Sequence, residues 1–187
     1  MRTGQRLFAG VLVFALTSGC AGHVVYASGP YRGRVIDAET RQPLVGVVVL
    51  AIWYREVPVA PHGPAVDYHD SIELLTDDSG EFTVPEKTHF TLIGKIREPR
   101  LVIYYPGYAA YPSMKARPQG KEVGAAYEQK VFHVELMKSK TLEERRTNVR
   151  DLPVSISDIP DDKMPNLVRL VNKERQDLGL QPVRLGR

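Results

Sequence analysis

Only one cysteine occurs in the chain, Cys20, so the protein can have no internal disulfide, even in an oxidising compartment, and no paired-cysteine metal site. The HExxH and GxSxG patterns and a phosphate-cradling glycine loop are missing too, which removes the usual signatures of zinc peptidases, serine hydrolases and P-loop enzymes. There is no internal repeat and no low-complexity tract, and beyond residue 19 no apolar run is long enough to span a bilayer. An excess of charge of one sign is lacking as well. The 25 basic side chains face 22 acidic ones, and loss of the first nineteen residues would remove Arg2 and Arg6. Such a balance gives no argument for nucleic acid. What these absences leave is a fold held by its core, and the remaining chain is long enough for one domain burying roughly 70% of its unfolded surface.

The first thing present is an N-terminal address. MRTGQR supplies two arginines, LFAGVLVFALT is almost wholly apolar, and Ser18 and Gly19 are small residues before Cys20. That is the layout of a secretory signal over residues 1–19. As a helix the apolar run would be roughly 16 Å long, about half the hydrocarbon thickness, so a permanent span is disfavoured. LTSGC resembles the lipobox of bacterial lipoproteins, in which the thiol receives a diacylglyceryl group and the new N-terminus is acylated. The resemblance implies that Cys20 is the lipid attachment site. Ala21, standing where aspartate would resemble an inner-membrane retention signal, implies the outer membrane of a two-membrane bacterium.

Residues 20–30 (CAGHVVYASGP) are small and turn-forming, and they read as a tether, with order expected from Tyr31. YRGRVID then predicts a strand, a polar turn follows, and Val45 to Tyr54 predicts a long β-branched strand with both faces apolar. Residues 55–70 (REVPVAPHGPAVDYHD) contain three prolines without sustained alternation and predict a long loop. SIELLTDDSGEFTVP predicts a hairpin over 72–84 turning at Asp78-Ser79-Gly80, with Gly80 at positive φ. Residues 85–99 read as a short helix or an irregular crossover. LVIYY at 101–105 is again apolar on both faces, and KVFHVELM makes a closing strand. Short strands separated by turns predict a mainly β, antiparallel sandwich over 31–138. From 139 to 187 the pattern becomes helical: Thr141 stands three before Glu144, the capping-box spacing, and Met164, Leu167, Val168, Val171 and Leu178 recur at helical intervals. The twin-faced strands need a cover, and this stripe is the available one.

GRVIDAETRQPLVGVVV, LTDDSGEFTVP and LVIYYPGY, in that order, resemble the carboxypeptidase regulatory-like domains, a transthyretin-like and immunoglobulin-like β-sandwich family. The resemblance covers about residues 31–137, with Asp37, Pro43, Leu44, Gly46, Thr76, Asp77, Gly80 and Phe82 at the family's positions. It implies architecture rather than chemistry, since these are fold determinants and no peptidase domain accompanies them.

Three further groups invite a function. His62, Asp67, His69 and Asp70 in PHGPAVDYHD are candidate metal ligands if the loop folds back, since imidazole and carboxylate suit zinc or iron, but no ligand spacing is diagnostic and a solvated polar loop explains them as well. Tyr104, Tyr108 and Tyr111 in YYPGYAAYP are candidates for an aromatic platform contacting a glycan or protein partner, or else tyrosines packed at a strand end with their hydroxyls bonded to backbone. Intradiol dioxygenases, which share a related sandwich and hold iron with two tyrosines and two histidines, have a histidine pair separated by one residue that this chain lacks. LTDDSG is not a calcium loop, because the twelfth residue from Asp77 is Thr88 rather than Glu. The expectation is a non-enzymatic, lipid-anchored envelope module without cofactor, attached to the membrane through its N-terminal lipid and binding a protein or glycan but no nucleic acid. The alternative is a small metal-dependent enzyme using residues 62–70.

Overall fold

The computed structural model describes residues 25–58, 63–113, 130–153 and 156–186, so Cys20 and His62 lie outside the described residues. The strands are β1 (Val25–Ser28), β2 (Tyr31–Asp37), β3 (Val48–Val57), β4 (Ala65–Leu75), β5 (Glu81–Val84), β6 (Lys87–Phe90), β7 (Lys95–Ile96), β8 (Arg100–Tyr104) and β9 (Val131–Leu136). Two helices follow, α1 (Leu142–Arg150) and α2 (Pro165–Asp177), with a 3-10 turn at Asp161–Lys163 before the second. One sheet runs β5-β2-β9; the sheet facing it has β4 on one edge of β3 and both β8 and β7 along its opposite edge; β1 and β6 form a third, two-stranded sheet. Pairing is antiparallel except between β2 and β9, which run parallel. The fold is a β-sandwich with a C-terminal helical extension.

Alternation builds the space between the sheets. In β2, Tyr31 and Val35 are wholly buried while Arg32 and Arg34 face water, and Val47, Val49, Ala51 and Trp53 meet Phe82, Val84, Phe132, Val134 and Leu136 from the facing sheet. The residues carrying the family resemblance close the turns around this core. Asp37 Oδ1 accepts from the N–H groups of Glu39 and Thr40, both at 2.8 Å. Buried Thr76 accepts from Val47 N–H at 2.9 Å and donates to Leu44 O at 2.6 Å. Asp77 Oδ1 accepts from Ser79 and Glu81. Gly33 lies under the Phe82 ring so closely that a Cβ would collide with it.

Four local expectations are revised. Gly80 has the anticipated positive φ, 72°, but the turn does not close a hairpin: β4 pairs with β3 and β5 with β2, so residues 76–80 carry the chain from one sheet to the other. The expected loop at 55–70 is mostly strand, because β3 continues to Val57 and β4 begins at Ala65; cross-strand hydrogen bonding overrides an irregular side-chain pattern there. The 85–99 crossover contains β6 and β7 and no helix. The stretch expected as a tether contains β1, which pairs with β6 through Val25↔Phe90 and Ser28↔Lys87.

The second face of β3 has a cover. Val48, Leu50, Ile52 and Tyr54, with Val102 and Tyr104 of β8, form a second core with Val149, Ile159, Met164, Leu167, Val171 and Leu178. The segment 161–178 thus packs on the outside of the sheet, and its stripe at 3.6-residue spacing makes this possible. Two carboxylates fix the helix. Glu73 on β4 accepts the N–H groups of Asn166 at 2.9 Å and Leu167 at 2.7 Å, capping α2 from another element, since Met164 at its own N-cap position supplies no side-chain cap. Glu174, only 3% exposed, accepts from the Tyr104 hydroxyl, from Gly107 N–H at 2.7 Å and from Arg145 Nε at 2.7 Å, joining β8, the following turn and α1. Helix α1 begins as expected, with Glu144 N–H donating to Thr141 Oγ1.

Candidate functional site

Of the candidate metal ligands, Asp67, His69 and Asp70 fall on β4 rather than on a loop. Opposite β3 the register passes from Trp53↔Asp70 to Tyr54↔Tyr68, so His69 is the extra residue of a bulge. Its ring lies 5.2 Å from that of His89 on β6, and the His89 ring lies 5.0 Å from Trp53. Trp53 Nε1 donates to the Ser28 hydroxyl at 2.9 Å, and Ser28 Oγ is 3.2 Å from His89 Nε2. An indole only donates, so the serine oxygen accepts from Trp53, while the hydroxyl proton can be offered to His89 Nε2 when the imidazole carries its own proton on Nδ1. His89 is 2% exposed. Burial, with help from the neighbouring His69 and Lys87, depresses its pKa to about 4, so it is neutral at pH 7. Burial likewise lowers the pKa of His69.

The acids at this end do not join the imidazoles. Asp67 pairs with Arg55 at 3.2 Å and Asp70 with Lys87. Burial would raise the Asp70 pKa, but the Lys87 ammonium and the Ser71 N–H outweigh it and hold the carboxyl below its ordinary value. Among the described residues, no group of three His, Cys, Asp or Glu side chains is placed to hold a metal. His62, the fourth candidate, lies outside them. Ser28 and His89 stand at a nucleophile–base distance, yet both are buried and the serine oxygen already accepts the indole N–H. Sequence reasoning passed over His89, and one signal for it was present: in KTHF it sits at the inward position of an alternating strand.

The tyrosine platform is not formed. Tyr104, Tyr108 and Tyr111 are at most 9% exposed and belong to the two cores. Their hydroxyls meet carboxylates rather than backbone where the structure shows a bond: Tyr104 donates to Glu174 and Tyr108 to Asp37 Oδ2 at 2.8 Å. Burial and the Asp37 carboxylate push the Tyr108 pKa up to about 12, and burial and Glu174 raise that of Tyr104. The bend of PGY explains this, because Gly107 at φ 82° returns the chain so that Tyr111 bridges Ile103 and turns its ring inward. Tyr105 alone of the first three tyrosines stays half-buried, and it borders a groove of about 440 Å³ at the seam between the sheet and α2. Leu75, Pro106 and Leu170 give that groove apolar walls; Arg169, Lys173 and Asp177 stand at it from α2. Leu75, at the end of core strand β4, is nearly half exposed there, as is Val45 in the turn before β3.

No protein-family model matches the chain, and no curated protein sequence matches it. Among solved structures it is similar to 3-chlorocatechol 1,2-dioxygenase from Rhodococcus opacus, at 17% identity and a TM-score of 0.31, over 64% of this chain and 62% of the length of that one.

Proposed function

We propose that the chain is a lipid-anchored module of the cell envelope, related to the carboxypeptidase regulatory-like domains, that holds a partner without catalysis. The observation that carries the reading is how the polar candidates are used. Asp67, Asp70, Tyr104 and Tyr108 are each engaged by another side chain of the fold, whereas the groove at Leu75 and Tyr105 offers apolar surface with a charged rim, the composition of a binding site rather than a reaction centre. An extended segment of a protein partner is the occupant that apolar walls fit best; the half-buried Tyr105 ring favours a glycan as the second reading. The order of blocks around Asp37, Thr76, Asp77, Gly80 and Phe82 supports the family, since each holds a turn or packs where the resemblance implies. LTSGC supports anchoring at Cys20, and Ala21 after it supports the outer membrane.

Two measurements test this. Labelled palmitate should enter the wild-type protein and not Cys20→Ser, because serine cannot form the thioether; equal labelling ends the lipoprotein reading. A photoreactive amino acid at Lys173 should give a discrete crosslinked product in cells that Leu75→Asp removes, with none from the same group at Leu142, which is exposed at the start of α1 and does not line the groove. Stoichiometric zinc or iron in purified protein, lost in the His62→Ala, His69→Ala variant, would instead establish the metal-dependent enzyme.

A further inference from the structure

The small β1–β6 sheet has one face that the fold does not use. His89 and Ser28 point inward, which sends Val25, Ala27, Thr88 and Phe90 outward, with Val25 directly opposite Phe90. None of these four carries a charge. The next turn adds Leu92 and Ile93, and exposure reaches 58% at Val25, 60% at Phe90, 79% at Leu92 and 63% at Ile93. The turn is held in place: Thr91 Oγ1 donates to Ile93 O at 2.7 Å, Tyr26 Oη donates to Gly94 O at 3.1 Å, and Gly94, at φ 87°, lies against the Glu56 carbonyl where no Cβ would fit. Four large exposed apolar side chains, two paired across the sheet and two in the turn that follows it, need an occupant.

The chain says which. Val25 is five residues from Cys20, and five residues reach at most about 18 Å fully extended. We infer that the face formed by Val25, Phe90, Leu92 and Ile93 rests in the headgroup and upper acyl region of the bilayer to which Cys20 is attached, so that the sandwich stands on its β1–β6 end. This inference rests on the lipoprotein reading. Lys87 of β6 is paired with Asp70, and Lys95 and Arg97, which follow the turn, are paired with Glu56, so burial of apolar side chains, not attraction to anionic lipid, holds the contact. The geometry has a consequence for binding. β2 leaves the β1–β6 end and finishes at Asp37, and Leu44, Gly46 and Leu75 lie at that finishing end, so the groove points away from the membrane.

The test uses full-length lipidated protein reconstituted into vesicles of phosphatidylethanolamine and phosphatidylglycerol, with and without acyl-brominated lipid. Wild type, whose single tryptophan Trp53 is buried behind the β1–β6 sheet, is measured in the same vesicles and its emission subtracted as the background. In Leu92→Trp, and in Ile93→Trp as an independent reporter, the added emission should be lost on bromination and should not change when phosphatidylglycerol is varied; Leu142→Trp at the opposite end should keep its emission. Labelled palmitate on each variant separates the two ideas. No label means the anchored reading itself fails. With label present, unquenched emission from both reporters overturns the inference, whether red-shifted because the face is in water or blue-shifted because protein covers it, and equal quenching of Leu142→Trp overturns the upright orientation.

Discussion

Glu73 on β4 accepts the backbone N–H of Leu167 at 2.7 Å, so the carboxylate that caps helix α2 lies on a sheet strand ninety-four residues earlier in the chain. The same group takes the N–H and the side-chain amide of Asn166, both at 2.9 Å. Glu73→Ala should therefore lower stability by about 1–2 kcal/mol, as loss of a cap does, read from urea unfolding. Glu73→Gln keeps one acceptor and should cost less. If both variants are as stable as wild type, charge and hydrogen bonding at this helix start contribute nothing.

The outer core gives a larger effect. Val48, Leu50, Ile52 and Val102 are wholly or almost wholly buried beneath Met164, Leu167 and Val171. Removing residues 160–187 should expose several hundred Å² of sheet at about 25 cal/mol per Å², comparable with the whole stability of a domain. The truncated chain should aggregate or unfold, and Leu167→Ala alone should cost about 2–5 kcal/mol. A truncated chain that remains monomeric with an unchanged Tm would show that the helix does not stabilise the sheet.

Gly80 and Gly46 separate two penalties. Both have positive φ, 72° and 71°, but a Cβ at Gly80 would meet Val35 O at 2.6 Å, whereas one at Gly46 meets nothing within 4 Å. Gly46→Ala should cost about 1–2 kcal/mol, the left-handed penalty by itself. Gly80→Ala should cost about 1–2 kcal/mol more than that, because the neighbour is backbone and cannot turn aside. Equal Tm losses would mean that the strands part at Gly80 without cost.

The sandwich was legible because its signals are local. Alternation placed Val47, Val49, Ala51 and Trp53 on one face of β3 and Val48, Leu50, Ile52 and Tyr54 on the other, and both sets pack as that pattern requires. The turn at Gly80 was legible too, but its partners were not, since a positive φ is a property of one residue and sheet membership depends on strands distant in the chain, as in Tyr31↔Val84. Strand β4 was hidden by the bulge at His69, which breaks the period that identifies a strand. The tyrosines misled for a related reason. YYPGYAAYP looks like exposed aromatic surface until Glu174 and Asp37, distant in sequence, supply buried acceptors for two of its hydroxyls.

The buried His89 makes stability depend on pH with a definite sign. Unfolded, the ring titrates near 6.5; folded, burial with His69 and Lys87 holds it at about 4. Between those values the unfolded chain binds a proton that the folded one refuses, so this contribution is fully present above the unfolded value and is lost as pH falls through 6.5 towards 4. Going from about pH 7.5 to about pH 4.5 should lower the unfolding free energy by about 2 kcal/mol through this group. Asp37, held below its ordinary value mainly by the Thr40 N–H, loses its own contribution only in stronger acid. His89→Gln retains a partner for the Ser28 hydroxyl and removes the titration, so the stability difference between wild type and variant should narrow by that amount across the window. A difference constant with pH would mean that His89 accepts a proton in the folded protein, and that the Ser28 hydroxyl does not donate to its Nε2.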